Sequence, residues 1–173
     1  MAILGAVLGD ILGSQYEFNR PKDLDWKNVA LFGEHGVGFT DDSVMALAIK
    51  KALDEDLDLV ETMVNIGRHY PFSGYGGNFY HWIYGEEHRP YGSWGNGSAM
   101  RVAYVGEFYD DYEIMQEMAA VTAMVSHNHS EIASFFEYIC TLRCGFLRKT
   151  AEIPRVTAAA RECGPPRGTE RRE

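Results

Sequence analysis

The sequence is poor in cysteine, in long hydrophobic runs and in features of a leader peptide. Its three cysteines, Cys140, Cys144 and Cys163, are odd in number and predict no disulfide framework, so a reducing compartment is the default. The apolar stretches are short and interrupted, which predicts no transmembrane helix. The N-terminus has no basic region before its first apolar residues, so we expect no signal peptide. These absences together predict a cytoplasmic protein with no membrane partner.

Basic residues are also few over most of the chain. The whole sequence has 16 Lys and Arg against 25 Asp and Glu, and this net charge of −9 argues against general nucleic-acid binding. Residues 1–142 carry 8 basic and 21 acidic side chains, whereas residues 143–173 carry 8 basic and 4 acidic ones, and Phe146 is the last aromatic. We therefore predict a domain over 1–142 and a basic, partly disordered tail over 143–173.

The residues that are abundant indicate a folded, helical domain. Hydrophobic residues make up 46% of the chain and aromatic residues 13%, enough for one sizeable core. Apolar residues recur at helical spacing, and no segment shows the alternation of a strand, so the predicted fold class is all-α. Helices are predicted over 2–16, from Thr40 to about 53, and over 58–69, 98–106, 110–125 and 130–147. The segments 18–38 and 71–97 are predicted to be loops, the second long and irregular.

The first helix has an unusual strip of glycines. Gly5, Gly9 and Gly13 recur at every fourth residue. Because glycine weakens a helix, this strip indicates close approach by another element or a ligand, or ordinary tight helix packing, at even odds. Asp10 lies beside the apolar stripe of the same helix, where a carboxylate needs a partner or a metal ion.

Two adjacent aspartates flanked by hydroxyls occur at 39–43, in the sequence Phe-Thr-Asp-Asp-Ser. Such hard oxygen ligands suit Mg²⁺. The alternative is that Thr40 caps a helix and that Asp41 and Asp42 complement its dipole, and this alternative would prevail if the motif stood alone. Glu17 follows the first helix at a position that suits a general acid or base, although by itself it is more simply a surface carboxylate.

Two further motifs lie in the second half of the chain. Residues 95–101, Gly-Asn-Gly-Ser-Ala-Met-Arg, form a glycine-flanked turn leading into a helix, which can hold a phosphate or be a plain turn. Arg101 is expected to pair with an acidic neighbour or with a ligand. Residues 126–129, Ser-His-Asn-His, precede a capped helix start, and their spacing to Cys140 and Cys144 matches no compact zinc motif.

Taken in order, these motifs resemble the ADP-ribosylglycohydrolase family, which includes the dinitrogenase reductase-activating glycohydrolases. The resemblance covers about residues 1–140, and residues 75–79, Tyr-Gly-Gly-Asn-Phe, resemble the small bacterial branch. It implies a compact orthogonal helical bundle and a centre of two Mg²⁺ ions, with Mn²⁺ as an alternative. It also implies hydrolysis of the bond between ADP-ribose and a protein side chain or a similar acceptor.

The same resemblance implies roles for individual residues. Glu17 would be the acid/base carboxylate, and Asp42 would be catalytic as well as a metal ligand. The implied metal ligands are Thr40, Asp41 and Asp42. The implied ADP-ribose contacts are Asn96, Gly97 and Ser98 at the diphosphate, His127, and Gly76 and Gly77.

One part of the family pattern is not found in this sequence. The family places a second group of metal ligands near its C-terminus, as Asp-x-Asp followed by Thr or Ser, and no Asp-x-Asp here is followed by either. We therefore expect a fold that is incomplete at the C-terminus, through a truncated or frame-shifted reading frame or through divergence. The predicted consequences are weak or absent turnover, exposed apolar surface, and a homodimer or marginal stability. An ADP-ribose-binding module without turnover and a purely structural protein are the alternatives.

Overall fold

The computed structural model describes residues 2–18 and 37–129, together with the single positions 25, 27, 29 and 32. Over these residues the chain is helical and has no strand, so the all-α prediction is confirmed. The predicted helix 130–147, the tail 143–173 and most of the loop 18–38 lie outside the described residues. Among the described helices, none is long and apolar enough to cross a membrane.

Seven α-helices and one short 3₁₀ turn follow one another along the described part of the chain. Their bounds are α1 Ala2–Glu17, α2 Asp41–Asp54, α3 Leu59–His69, α4 Gly77–Tyr84, α5 Gly97–Met100, the 3₁₀ turn Val102–Tyr104, α6 Val105–Phe108 and α7 Tyr112–Met124. The predicted helix 98–106 is therefore divided into three short pieces, while the predictions for α1, α2, α3 and α7 agree within a few residues.

Helix α2 is the centre of the packing, and it touches α1, α3, α5, α6 and the 3₁₀ turn. Its first residue follows Thr40, whose hydroxyl accepts a hydrogen bond from the Asp42 N–H, so the predicted N-cap is confirmed. Small and flexible apolar residues line its buried face, which lets neighbouring helices approach closely. These residues are Val44, Met45, Ala48, Ile49 and Ala52.

Helix α4 lies inside the segment 71–97, which was predicted to be irregular, and that part of the prediction is wrong. The sequence of α4 is rich in aromatic residues with modest helix propensity, so no local signal favours it. Phe79, Trp82 and Ile83 are spaced three and four residues apart and are buried in the main core. Tertiary packing on one face therefore stabilises this helix.

The glycine strip of α1 is exposed in the described part of the structure, so the predicted close packing against another element is not found there. Gly5, Gly9 and Gly13 are exposed, and a Cβ built on any of them would meet no atom within 4 Å among the described residues. The neighbouring Leu4 and Leu8 are 55% and 57% exposed. Within the described structure, the strip thus makes no close contact with another helix, and the ligand interpretation stays a prediction.

Candidate active site

Asp10 joins α1 to the start of α2. Its carboxylate accepts hydrogen bonds from the Thr40 N–H at 2.8 Å and the Thr40 hydroxyl at 2.6 Å. It also accepts from the Ser43 N–H at 3.1 Å and the Ser43 hydroxyl at 2.5 Å. A carboxylate at a helix N-terminus satisfies free N–H groups and complements the helix dipole. Thr40 and Ser43 are therefore the partners that the Asp10 carboxylate needs. Their bonds to Asp10 also fix the position of the two residues between them.

The residues between Thr40 and Ser43 are Asp41 and Asp42, and Glu17 lies close to both. Burial raises the pKa of Asp41 to about 7, and the charges of Asp42 and Glu17 add to the rise. Burial also raises the pKa of Asp42, with further contributions from Asp10 and Glu17. The structure thus brings together the four carboxylates that the sequence singled out, and we call Asp10, Glu17, Asp41 and Asp42 the acidic group.

The donor set of the acidic group suits a hard cation only in part. Neighbouring carboxylates raise the pKa of Asp41 and of Asp42, and such groups gain from a nearby positive charge. The Thr40 hydroxyl donates to Asp10 and accepts from the Asp42 N–H, which leaves one lone pair on its oxygen. Over the described residues, however, no three His, Cys, Asp or Glu side chains converge as a metal site. Thr40, Asp41 and Asp42 therefore supply some oxygen ligands but no complete cage within this part of the chain.

A second set of contacts joins the segment 126–129 to the loop 92–95. The Ser93 N–H donates to the Ser126 carbonyl at 3.0 Å. His127 Nε2 lies 2.9 Å from the Gly95 carbonyl oxygen, and His129 Nε2 lies 2.7 Å from that of Gly92. Both histidines of the segment 126–129 thus contact main-chain carbonyl oxygens.

These contacts hold the start of α5, where Asn96, Gly97 and Ser98 lie. His127 is 2% exposed, and a Cβ on Gly97 would lie 3.3 Å from its Cε1 atom, so a larger residue at position 97 would need the ring to shift by a few tenths of an ångström. No side chain caps α5. The structure therefore places His127 directly beside the glycine motif.

Gly76 and Gly77 form the exposed start of α4, next to Tyr75. The pKa of Tyr75 is raised to about 12, first by burial and then also by the negative charge of Asp41. Tyr75 therefore lies near the acidic group, and the two glycines follow it directly along the chain.

Arg101 pairs with no acidic neighbour among the described residues. It is 1% exposed, and over the described residues its hydrogen bonds go to carbonyl oxygens and a hydroxyl. Its guanidinium lies at the end of α7, where a cation complements the helix dipole. The expected acidic partner is thus replaced by the carbonyls of Thr122 and Ala123 and the hydroxyl of Ser126.

The described part of the chain is all-α, with an acidic group at one helix start and a glycine loop held by a buried histidine. The model of the ADP-ribosylglycohydrolase family matches residues 1–163, and the chain belongs to this family. No curated protein matches the chain. Membership supports a glycosidase-type hydrolase function toward ADP-ribosyl bonds in general terms.

The family match extends beyond the boundary predicted at residue 142. It ends at residue 163, within the segment interpreted as a basic tail. The division into 1–142 and 143–173 stays a prediction, because the described residues end at 129.

Proposed function

We propose that this protein is a Mg²⁺-dependent hydrolase that removes ADP-ribose from an ADP-ribosylated protein or a related conjugate. The observation that supports the proposal most strongly is the assembly of the acidic group from two distant segments, α1 and the start of α2. Random surface carboxylates do not share burial and mutual repulsion of this kind, and perturbed pKa values concentrate at functional sites.

The carboxylates suit the charge that develops during glycosidic cleavage. Breaking the bond to the ribose builds positive charge on the sugar ring, which nearby carboxylates stabilise. Glu17 is exposed at the end of α1 and is proposed as the acid/base that exchanges a proton with the leaving group or the attacking water. Asp42 is proposed to act beside Glu17, at the start of α2.

The proposed metal ligands are Thr40, Asp41 and Asp42. When bound, Mg²⁺ or Mn²⁺ would orient the ribose hydroxyls and the attacking water. Asp10 holds Thr40 and Ser43 on either side of the two aspartates, so this half of the ligand set is already positioned in the folded protein.

The proposed binding site for the diphosphate of ADP-ribose is the 95–98 motif with His127. No side chain caps the start of α5, although the Gly95 N–H before it donates to the Ser93 hydroxyl, and the Nε2 contact to the Gly95 carbonyl keeps His127 beside this segment. Gly76 and Gly77 are proposed to lie at the edge of the same pocket. The acidic chain thus offers neutral main-chain donors, rather than basic side chains, to an anionic ligand.

A second candidate function is an ADP-ribose-binding module with weak or no turnover. The observation that favours it is the incomplete ligand set: the sequence has no Asp-x-Asp-Thr or Asp-x-Asp-Ser, and no three His, Cys, Asp or Glu side chains of the described residues form a group that could hold a metal ion. In this case ADP-ribose binds at the glycine motif while the metal half-site remains too weak for catalysis.

Two measurements on the full chain separate the candidates. Calorimetry with ADP-ribose measures binding, and release of ADP-ribose from an ADP-ribosylated protein measures turnover in excess Mg²⁺ and in chelator. The hydrolase predicts release that needs Mg²⁺, at about 1 s⁻¹ or more, and a loss of about 10²-fold or more in Glu17→Gln.

Glu86→Gln is the matched control, since Glu86 is an exposed glutamate outside the acidic group, and it should keep the wild-type rate. Binding without release would assign the chain to the binding module. If the chain shows neither binding nor release, both candidates are contradicted and the structural role remains.

A further inference from the structure

Arg101, the last residue of the glycine motif, has a buried guanidinium whose hydrogen bonds lead through Ser126 to His127. Arg101 Nη2 donates to the Ser126 hydroxyl at 2.8 Å, and the Ser126 hydroxyl lies 2.8 Å from His127 Nδ1. His127 Nε2 lies 2.9 Å from the Gly95 carbonyl oxygen. Arg101, Ser126 and His127 are all at most 2% exposed. These contacts form a chain of hydrogen bonds that is shielded from water.

The chemistry of Arg101 and of the Gly95 carbonyl fixes the direction in which these hydrogen bonds donate. Arginine has donors only, so the Ser126 oxygen must accept from Arg101, and the hydroxyl proton is left for His127 Nδ1. The Gly95 carbonyl can only accept, so the ring proton of His127 must be on Nε2. Arg101 then donates to Ser126, the Ser126 hydroxyl donates to His127 Nδ1, and His127 Nε2–H donates to the Gly95 carbonyl, so His127 is a neutral ring in a single tautomer.

We propose that Arg101 is a positioning residue that, through Ser126, fixes the Nε2–H tautomer of His127 and so holds the Gly95–Gly97 loop against the ring. The consequence of this role for ADP-ribose rests on the function proposed above, whereas the tautomer is a property of the free protein.

The opposite tautomer is disfavoured by its cost in unmade hydrogen bonds. A proton on Nδ1 would turn toward the Ser126 oxygen, and the Ser126 hydroxyl proton would then have to find another acceptor in a site that is 0% exposed. At the same time, Nε2 and the Gly95 carbonyl would face each other as two acceptors. The loop at 95–97 would lose the contact that holds it beside His127.

The fork shape of arginine suits this task better than a point charge. Nε and Nη2 both reach the Thr122 carbonyl, at 3.2 and 2.8 Å, and Nη2 also lies 3.3 Å from the Ala123 carbonyl oxygen. These hydrogen bonds to the last turn of α7 orient the guanidinium, and so set the angle at which Nη2 meets the Ser126 hydroxyl. Burial lowers the pKa of Arg101 to about 10, which still leaves it charged at neutral pH.

A simple structural alternative is that Arg101 only caps α7. The chain offers a matched control, because Arg68 donates in a similar way to the carbonyls of Ile83, at 3.0 Å, and Gly85, at 3.3 Å, at the end of α4. None of the hydrogen bonds of Arg68 described here leads to a histidine. Loss of Arg68 therefore removes a helix-end arginine without breaking the path to His127.

The test uses ¹⁵N-labelled full chain without ligand and two-bond nitrogen–proton spectra of the histidine rings, with His127→Gln to assign the signals. We expect wild-type His127 to be a single neutral Nε2–H tautomer. In Arg101→Gln and in Ser126→Ala we expect a mixture of tautomers or a shifted Nδ1 signal, and in Arg68→Gln the wild-type pattern. Ser126→Ala keeps the guanidinium in place, so it decides the matter if Arg101→Gln does not fold.

The Nδ1–H tautomer in the wild type, or unchanged His127 signals in both Arg101→Gln and Ser126→Ala, would overturn the proposal. Calorimetry with ADP-ribose then separates it from the proposed function. If the wild type binds, we expect about tenfold weaker binding in Arg101→Gln and unchanged binding in Arg68→Gln. If the wild type does not bind, the proposed function fails, and the histidine spectra still decide whether Arg101 acts through Ser126.

Discussion

At the scale of single residues, Asp41 carries the largest electrostatic cost in the acidic group. Its pKa rises from an ordinary 3.8 to about 7, because burial and the charges of Asp42 and Glu17 disfavour the ionised form. Between about pH 4 and about pH 7 the folded chain thus binds more protons than the unfolded chain. The stability that Asp41 contributes is present below about pH 4 and is lost as the pH rises through about 7. Asp42 acts in the same direction.

The first prediction is that Asp41→Asn stabilises the metal-free protein at about pH 8 and changes it little at about pH 4. The measurement is the melting temperature of the wild type and of Asp41→Asn across this pH range, in the presence of a chelator. His127 has a pKa lowered mainly by burial, so its own contribution rises with pH, but it is common to both proteins and cancels in the difference. Asp110→Asn, at an exposed aspartate, is the control and should show no such trend.

Excess Mg²⁺ should reverse the order of the two proteins. A cation that binds the folded wild type raises its melting temperature by mass action, and Asp41→Asn should lose most of that gain. An Asp41→Asn protein that is less stable than the wild type at high pH in chelator would mean that the acidic group is not under repulsion.

At the scale of elements, the junction of α1 and α2 depends on Asp10. Asp10→Ala leaves the N–H groups and hydroxyls of Thr40 and Ser43 without their acceptor, and Ser43 is only 3% exposed. Hydrogen bonds to a charged group are worth about 1.5–3 kcal/mol each, and water replaces part of the loss at Thr40. We predict a fall of roughly 2–3 kcal/mol in the free energy of unfolding, measured by urea denaturation.

Asp58→Ala provides the comparison for this second prediction. Asp58 is an ordinary N-cap whose side chain accepts from the Glu61 N–H within its own helix, α3, and losing such a cap costs about 1 kcal/mol. Asp10 makes its contacts between two helices and over 30 residues of sequence. A loss in Asp10→Ala no larger than that in Asp58→Ala would show that Asp10 does not hold the two helices together.

The elements also show which parts of the structure the sequence can predict. The start of α2 follows from Thr40, because capping is a local interaction between neighbours in the chain. Helix α4 does not, because packing of Phe79 and Trp82 in the core, and not propensity, decides it. The role of Arg101 could not be read from the sequence either, since its carbonyl partners are more than 20 residues away. The Arg101 side chain in the glycine motif was the only signal, and it indicated charge pairing.

At the scale of the whole molecule, the two proposed parts of the site lie on different frameworks. The acidic group depends on α1 and α2, while the glycine motif depends on α7 and the segment 126–129 that follows it. Helix α2 packs against α5 and α6 and so joins the two frameworks. Substitutions that leave α2 folded can therefore affect one part alone, which is why the binding and turnover assays can give separate answers.

The last prediction is that the chain forms a homodimer in solution through the outer face of α1. Leu4 and Leu8 are one helical turn apart and both more than half exposed, and water-exposed apolar pairs gain free energy when a second copy covers them. The glycines between them leave the helix surface smooth. Leu8→Glu should convert the dimer to a monomer, while Leu57→Glu, at an exposed leucine between α2 and α3, should not. The measurement is the molar mass by light scattering across a concentration series. A monomeric wild type with a sharp, high melting transition would contradict the prediction, because it would show that the exposed leucines need no cover.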